Sequence, residues 1–165
     1  MFAVAAVAHA TKPEFYAELR SQLDALLTGE TDPIANAANM AALLYHTMPV
    51  INWAGFYFLR SQDVLVLGPF QGKPACVRIG VGSGVCGTAV ERRAPVLVED
   101  VDAFPGHIAC DAASRSELVV PLLRDGAAFG VLDIDSPLPG RFDADDQAGI
   151  EALAAIYIAR SDRES

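Results

Sequence analysis

From Thr11 onward, apolar residues recur every three or four positions. In "TKPEFYAELRSQLDALL", Phe15, Leu19, Leu23, Leu26 and Leu27 trace one helical face. Thr11 and Glu14 stand at capping-box spacing, and Pro13 falls in the first turn, where its missing N–H costs nothing. "TDPIANAANMAALLYHTM" keeps the helical period through Ile34, Ala37, Ala38, Ala41, Leu44 and Tyr45, with Thr31 or Asp32 as cap, Pro33 at the first position and Pro49 as stop. The period then drops to two. "NWAGFYFLR" and "DVLVLGPFQG", rich in aromatic and branched residues, predict a hairpin about "SQD", and "ACVRIGV" a further strand. "GSGVCGTAVERRA" reads as a Gly-rich turn feeding a short helix, and "PVLVEDV" as a brief strand or extended segment. "ELVVPLLRDGAAFGVLDIDS" predicts a hairpin about Arg124-Asp125-Gly126, with Pro121 marking an edge or a bulge. "FDADDQAGIEALAAIYIAR" closes the chain as a helix capped by Asp143, with Ile150, Leu153, Ala154 and Tyr157 facing inward. Only "DAFPGHIACDAASRS" has turn residues without a period, and irregular loops of that length are often functional.

Two helices, about six short strands and a last helix predict an α+β fold, an antiparallel sheet with helices packed on one face. At 165 residues the chain is expected to be one domain spanning 1–165. A hydrophobic content of 52% against 20% charged residues excludes a disordered chain. The net charge of −9, with 12 Lys and Arg that form no basic stripe, argues against nucleic acid as partner. "MFAVAAVAHA" imitates a secretion signal but lacks a charged leading region and runs straight into the first helix. With no stretch near the roughly 20 apolar residues of a membrane span, the expectation is a cytoplasmic protein with a small-molecule or protein partner.

The candidate chemistry lies in the strands and the loop. Asp133 and Asp135 alternate with Leu132 and Ile134, so both carboxylates share a face, either a solvated sheet surface or part of a site. Glu117 begins the neighbouring strand, and three converging carboxylates need protons or a cation to offset their repulsion. An ammonium group would suit them, as would a weakly basic oxygen that needs a proton. Trp53, Gly55 and Tyr57 share one strand face and Phe56 and Phe58 the other. Trp53 and Tyr57 are either plain core or the flanks of a small apolar or sulfur-bearing group. The glycines of "GVGSGVCGTA" lack the Gly-Lys-Ser/Thr ending of a phosphate loop, so no nucleotide is expected. Cys76, Cys86 and Cys110 are separated by 10 and 24 residues with no C-x-x-C, and only three histidines exist, so no metal site is expected. Each cysteine is either a small buried hydrophobe or a reactive thiol. Cys86 near a helix N-terminus and Cys110 near His107 have a physical claim to the second role.

Taken together, "GPFQGKPACVRI", "GVCGTA", "PGHIACDAASRSELVVPL" and "GVLDIDS" resemble the free methionine-R-sulfoxide reductases, small stand-alone GAF-domain enzymes. The match runs from about Asn52 to the final helix. Ser83 departs from it, standing where the family usually has lysine, so no positive charge beside Cys86 is carried over. The resemblance implies a GAF fold and reduction of the R epimer of free methionine sulfoxide. It implies Cys110 as nucleophile, oxidised to a sulfenic acid, and Cys76 as the residue that resolves it into a disulfide for thioredoxin to reduce. Cys86 would be a nucleophile or a second resolving thiol. Glu117, Asp133 and Asp135 would bind substrate, Trp53 and Tyr57 would surround its methyl group, and the long loop would close over it as a lid. No cofactor is implied, and a homodimer is. The alternatives are a non-catalytic GAF module that binds a small ligand, which usually accompanies an output domain this length leaves no room for, and a peroxide-reducing thiol protein, which leaves the carboxylates unexplained.

Overall fold

The alternating segments form one antiparallel sheet. Its strands are β1 (Trp53–Ser61), β2 (Val64–Gly72), β3 (Arg78–Gly80), β4 (Val96–Val98), β5 (Ser116–Arg124) and β6 (Ala127–Ser136), in spatial order β3-β2-β1-β6-β5-β4. The computed structural model describes residues 11–106 and 112–162. Helices α1 (Lys12–Leu27), α2 (Pro33–Thr47), α3 (Gly84–Arg92) and α4 (Ala144–Arg160) complete the α+β fold.

The helix ends are where the polar punctuation places them. Thr11 and Glu14 form the capping box of α1, Asp32 accepts from the amides of Ile34 and Ala35, and Asp143 with Asp146 forms a second capping box on α4. Asp146 also accepts from the Tyr16 hydroxyl at 2.8 Å and pairs with Lys12 and Arg141, tying α1 to α4. In α2 the buried apolar set is Ala37, Met40, Ala41, Leu43 and Leu44, while Ile34 and Tyr45 are exposed. Tertiary packing has rotated the buried face away from the one the spacing suggested. The β5–β6 turn is Asp125-Gly126, both at positive φ, the geometry that suits a two-residue hairpin. Pro121 lies past the Glu117–Val119 segment that pairs with β4, so β5 is a local edge there, and an irregularity follows between Leu122 and Leu123.

The sheet separates two cores. Ala54, Phe56, Phe58, Leu118, Val120, Leu122, Leu132 and Ile134 pack with α1, α2 and α4. Trp53, Tyr57, Val119 and Val131 face the other way and pack with Val85, Cys86, Ala89 and Val90 of α3. The expected one-sided helical layer therefore holds for α1, α2 and α4, and α3 covers the opposite face. That second layer decides the fate of Asp133, because it turns a face that could have been solvated into a buried one. Among the described residues no helix is long and apolar enough to cross a membrane.

Candidate active site

Pairing brings the acidic residues together. Glu117 stands opposite Asp135, which on its other side stands opposite Trp53, and Asp133 stands opposite both Val119 and Gly55. Buried serines fix these strand ends. Ser116 Oγ donates to the Leu138 carbonyl at 2.6 Å, and Ser136 Oγ donates to the Val50 carbonyl at 2.7 Å. The Asn52 amide donates to the Asp135 carbonyl at 3.0 Å. Cys86 reaches the same place from the first turn of α3. Gly87 follows it because a side chain there would collide with the Gly80 carbonyl, so only glycine lets α3 approach β3 this closely.

The result is a buried triad. Cys86 is 3% exposed and Glu117 and Asp133 are each 6% exposed, with one donor atom from each within 4.8 Å of the other two. Burial, then the charges of Asp133 and Asp135, hold the Glu117 carboxyl well above its ordinary range. Burial pushes Asp133 up to about 6, against the opposing pull of the Cys86 thiol and Glu117. Burial thus shifts both carboxyls of the pair toward their protonated forms. Cys86 is pushed well above the ordinary thiol range by burial and then by the surrounding carboxylates. The stabilisation expected for a thiolate near a helix N-terminus is outweighed, and Cys86 rests as a thiol.

An aromatic wall closes the other side. Trp53 stacks with Tyr57 at 6.0 Å between ring centroids and with Phe70 at 5.3 Å. Gly55 makes this possible, since a Cβ there would lie 2.6 Å from the Trp53 ring and would overlap Phe70. Trp53 Nε1 donates to the Lys73 carbonyl at 3.1 Å, and the Tyr57 hydroxyl donates to the Cys76 carbonyl at 3.0 Å. The wall therefore also holds the segment that carries Cys76. Cys76 is half-buried and disulfide-bonded, and Cys86 is free. Burial and then the Asp133 charge raise the Tyr57 hydroxyl far above its usual value, leaving it a neutral donor.

His107 and Cys110 lie outside the described residues. The described residues Val101, Ser114 and Arg115 are tied to one another and to the strand ends that carry the acidic cluster. Val101 N donates to Arg115 O at 2.9 Å, Arg115 N to Ser136 O at 2.7 Å, and Asn52 Nδ2 to Ser114 Oγ at 3.1 Å. Trp53, Tyr57, Glu117, Asp133, Asp135 and Cys86 are brought to one end of the sheet, with Cys76 held over it. Sequence reasoning missed Phe70, Asn52, Ser114, Ser116 and Ser136. The serines at the strand termini beside acidic residues were the available signal. An apolar and sulfur-tolerant wall facing two buried carboxyls shifted toward their protonated forms can enclose a small zwitterion and protonate a weakly basic oxygen in it.

The chain matches the family model described as GAF domain over residues 38–157. It is 58% identical to the free methionine-R-sulfoxide reductase of Escherichia coli over 87% of each chain. It is 41% identical to that of Saccharomyces cerevisiae, over 88% of this chain and 84% of the other. Among solved structures it is similar to the free methionine-R-sulfoxide reductase of Neisseria meningitidis in complex with its substrate. That likeness has a TM-score of 0.92 and 45% identity, and covers 97% of this chain and 95% of the other.

Proposed function

The chain belongs to the free methionine-R-sulfoxide reductases of the GAF-domain family, and on that premise we propose how its residues reduce free L-methionine (R)-S-oxide. The observation that carries the reading is the buried Glu117–Asp133 pair facing Trp53 and Tyr57. Sulfoxide oxygen leaves sulfur poorly unless it is protonated, and in this reading Glu117, whose carboxyl burial pushes toward the protonated form, supplies the proton. Asp133 and the half-buried Asp135 hold the substrate ammonium. Trp53 and Tyr57 receive the methyl group and sulfur, where contact with aromatic rings is favourable.

The Cys110 thiol attacks the sulfoxide sulfur. Oxygen passes to the cysteine, methionine leaves, and the product is Cys110 sulfenic acid. The Cys76 thiol then displaces water from that sulfenic acid, forming a disulfide, and a thioredoxin-type dithiol reduces it. The sum is sulfoxide plus dithiol giving methionine, water and a disulfide. Support for Cys76 as the resolving residue comes from its disulfide-bonded state and from its carbonyl being held by the Tyr57 wall, while Cys86 is a buried thiol.

The test is turnover of the R and S epimers separately, with dithiothreitol and then with thioredoxin. Methionine from the R form with both reductants is the expected result. No turnover of either epimer by fully reduced protein would overturn the reading and leave a ligand-binding GAF module in its place.

A further inference from the structure

The same buried cluster has a chemistry that reduction of a sulfoxide does not use. An ammonium group is satisfied by carboxylates, yet the Glu117 and Asp133 carboxyls share their enclosure with the Cys86 sulfur, all three donor atoms lying within 4.8 Å of one another. Asp133 Oδ1 is fully buried and has no hydrogen-bond partner among the described residues, while Cys86 and Glu117 are hydrogen-bonded to the same side chain. Such an orphaned acceptor is costly unless something occupies the space before it. We propose that Cys86, Glu117 and Asp133 form a site for a borderline-soft divalent cation, zinc being the type, and that its occupation excludes methionine sulfoxide.

The donor set selects the ion. One sulfur and two carboxylate oxygens suit zinc or cobalt and do not suit magnesium or calcium, which take oxygen alone. Bonds of about 2.3 Å to sulfur and about 2.0 Å to oxygen place tetrahedral ligands roughly 3.3–3.6 Å apart, so donor atoms now within 4.8 Å of one another would draw together by up to about 1.5 Å. Three protein ligands leave a fourth position for water or for Asp135, which stands opposite Glu117 on the neighbouring strand. A cation would also offset the charge that these groups acquire on ionising, and its binding releases the Cys86 thiol proton together with any proton held on the Glu117 and Asp133 carboxyls. Only the inhibitory consequence rests on the reductase reading, since the ion would occupy the space of the substrate ammonium.

The test uses a Cys76→Ser/Cys110→Ser double variant, which keeps Cys86 as its one cysteine. Titrated with cobalt(II) chloride, it is expected to develop a sulfur-to-cobalt charge-transfer band that saturates at one equivalent and is abolished by zinc. The band is lost on Cys86→Ser. Asp133→Asn lowers zinc affinity, read against a chromogenic chelator, by at least the ~10–100-fold that loss of an outer partner costs. Because these substitutions remove buried charge and could alter the fold, displacement provides a second measurement. Methionine (R)-S-oxide should bleach the band of the unaltered site, and zinc should raise KM in the wild-type enzyme without lowering kcat. Absence of the band, or a band and zinc affinity indifferent to Asp133→Asn and Glu117→Gln, would overturn the inference. A band in a protein that turns over neither epimer supports the cation site and sinks the reductase reading alone.

Discussion

The Tyr57 hydroxyl donates to the backbone carbonyl of Cys76 at 3.0 Å, so a side chain of the aromatic wall also positions the segment that carries Cys76. Tyr57→Phe keeps the ring and its stacking on Trp53 and removes only this bond. The expected loss of stability is about 1 kcal/mol. Methionine release in a single turnover should be nearly unchanged, while disulfide formation, followed by loss of free thiols, should slow. Equal slowing of both steps would mean that the hydroxyl acts on the substrate itself.

Glu117→Gln removes the proposed proton donor while preserving shape. With the acid gone, kcat should fall by roughly 10²–10⁴-fold, the usual contribution of a placed general acid. Because the ammonium is assigned to Asp133 and Asp135, KM should change far less. A rise in KM with kcat retained would move Glu117 from proton donor to ammonium ligand.

Asp133 connects function to stability. Its folded-state value of about 6 lies above the ordinary 3.8, so between these limits the folded chain holds a proton that the unfolded chain has lost. Stability therefore falls as pH rises through this window, and the deficit is complete above about pH 6. Asp133→Asn removes it. In buffer containing chelator, the variant should exceed the wild type by up to about 3 kcal/mol at pH 7, with the gap closing toward pH 4. Denaturant melts across that range measure it, and a pH-independent difference would refute the assignment.

Gly55→Ala places a methyl group into Phe70 and 2.6 Å from the Trp53 ring. Overpacking of this kind costs about 1–3 kcal/mol. Since the indole is what must move, quenching and wavelength of the single Trp should change with it, and KM should rise. An unaltered Trp53 emission spectrum would show that the wall tolerates the methyl.

What the sequence discloses follows from the range of the signal. Caps at Thr11, Asp32 and Asp143, the Asp125-Gly126 turn and the shared faces of Trp53 with Tyr57 and of Asp133 with Asp135 are properties of a few neighbouring residues, and periodicity reports them. Burial of Asp133 was not legible, because it depends on α3, nine residues opening in glycine, crossing a sheet face whose alternation alone allowed solvent. The meeting of Cys86 with Glu117 and Asp133 joins three separate segments, and its spacing resembles no metal motif. "ACVRIGV" became a strand only at Arg78–Gly80, since Ala75 and Cys76 instead belong to the segment hung from Trp53 and Tyr57. The roles of Cys110, Cys76 and the carboxylates came from the family resemblance, and Cys110 lies outside the described residues.

The most direct measurement is a single turnover by fully reduced protein with no added reductant. Mixed with excess free methionine (R)-S-oxide, it should release about one equivalent of methionine per chain and lose two thiols, with Cys76 joined to Cys110 by peptide mapping. The S epimer should release none, and neither should Cys110→Ser with the R epimer. Methionine formed by Cys110→Ser, or a disulfide that omits Cys76, would contradict the account.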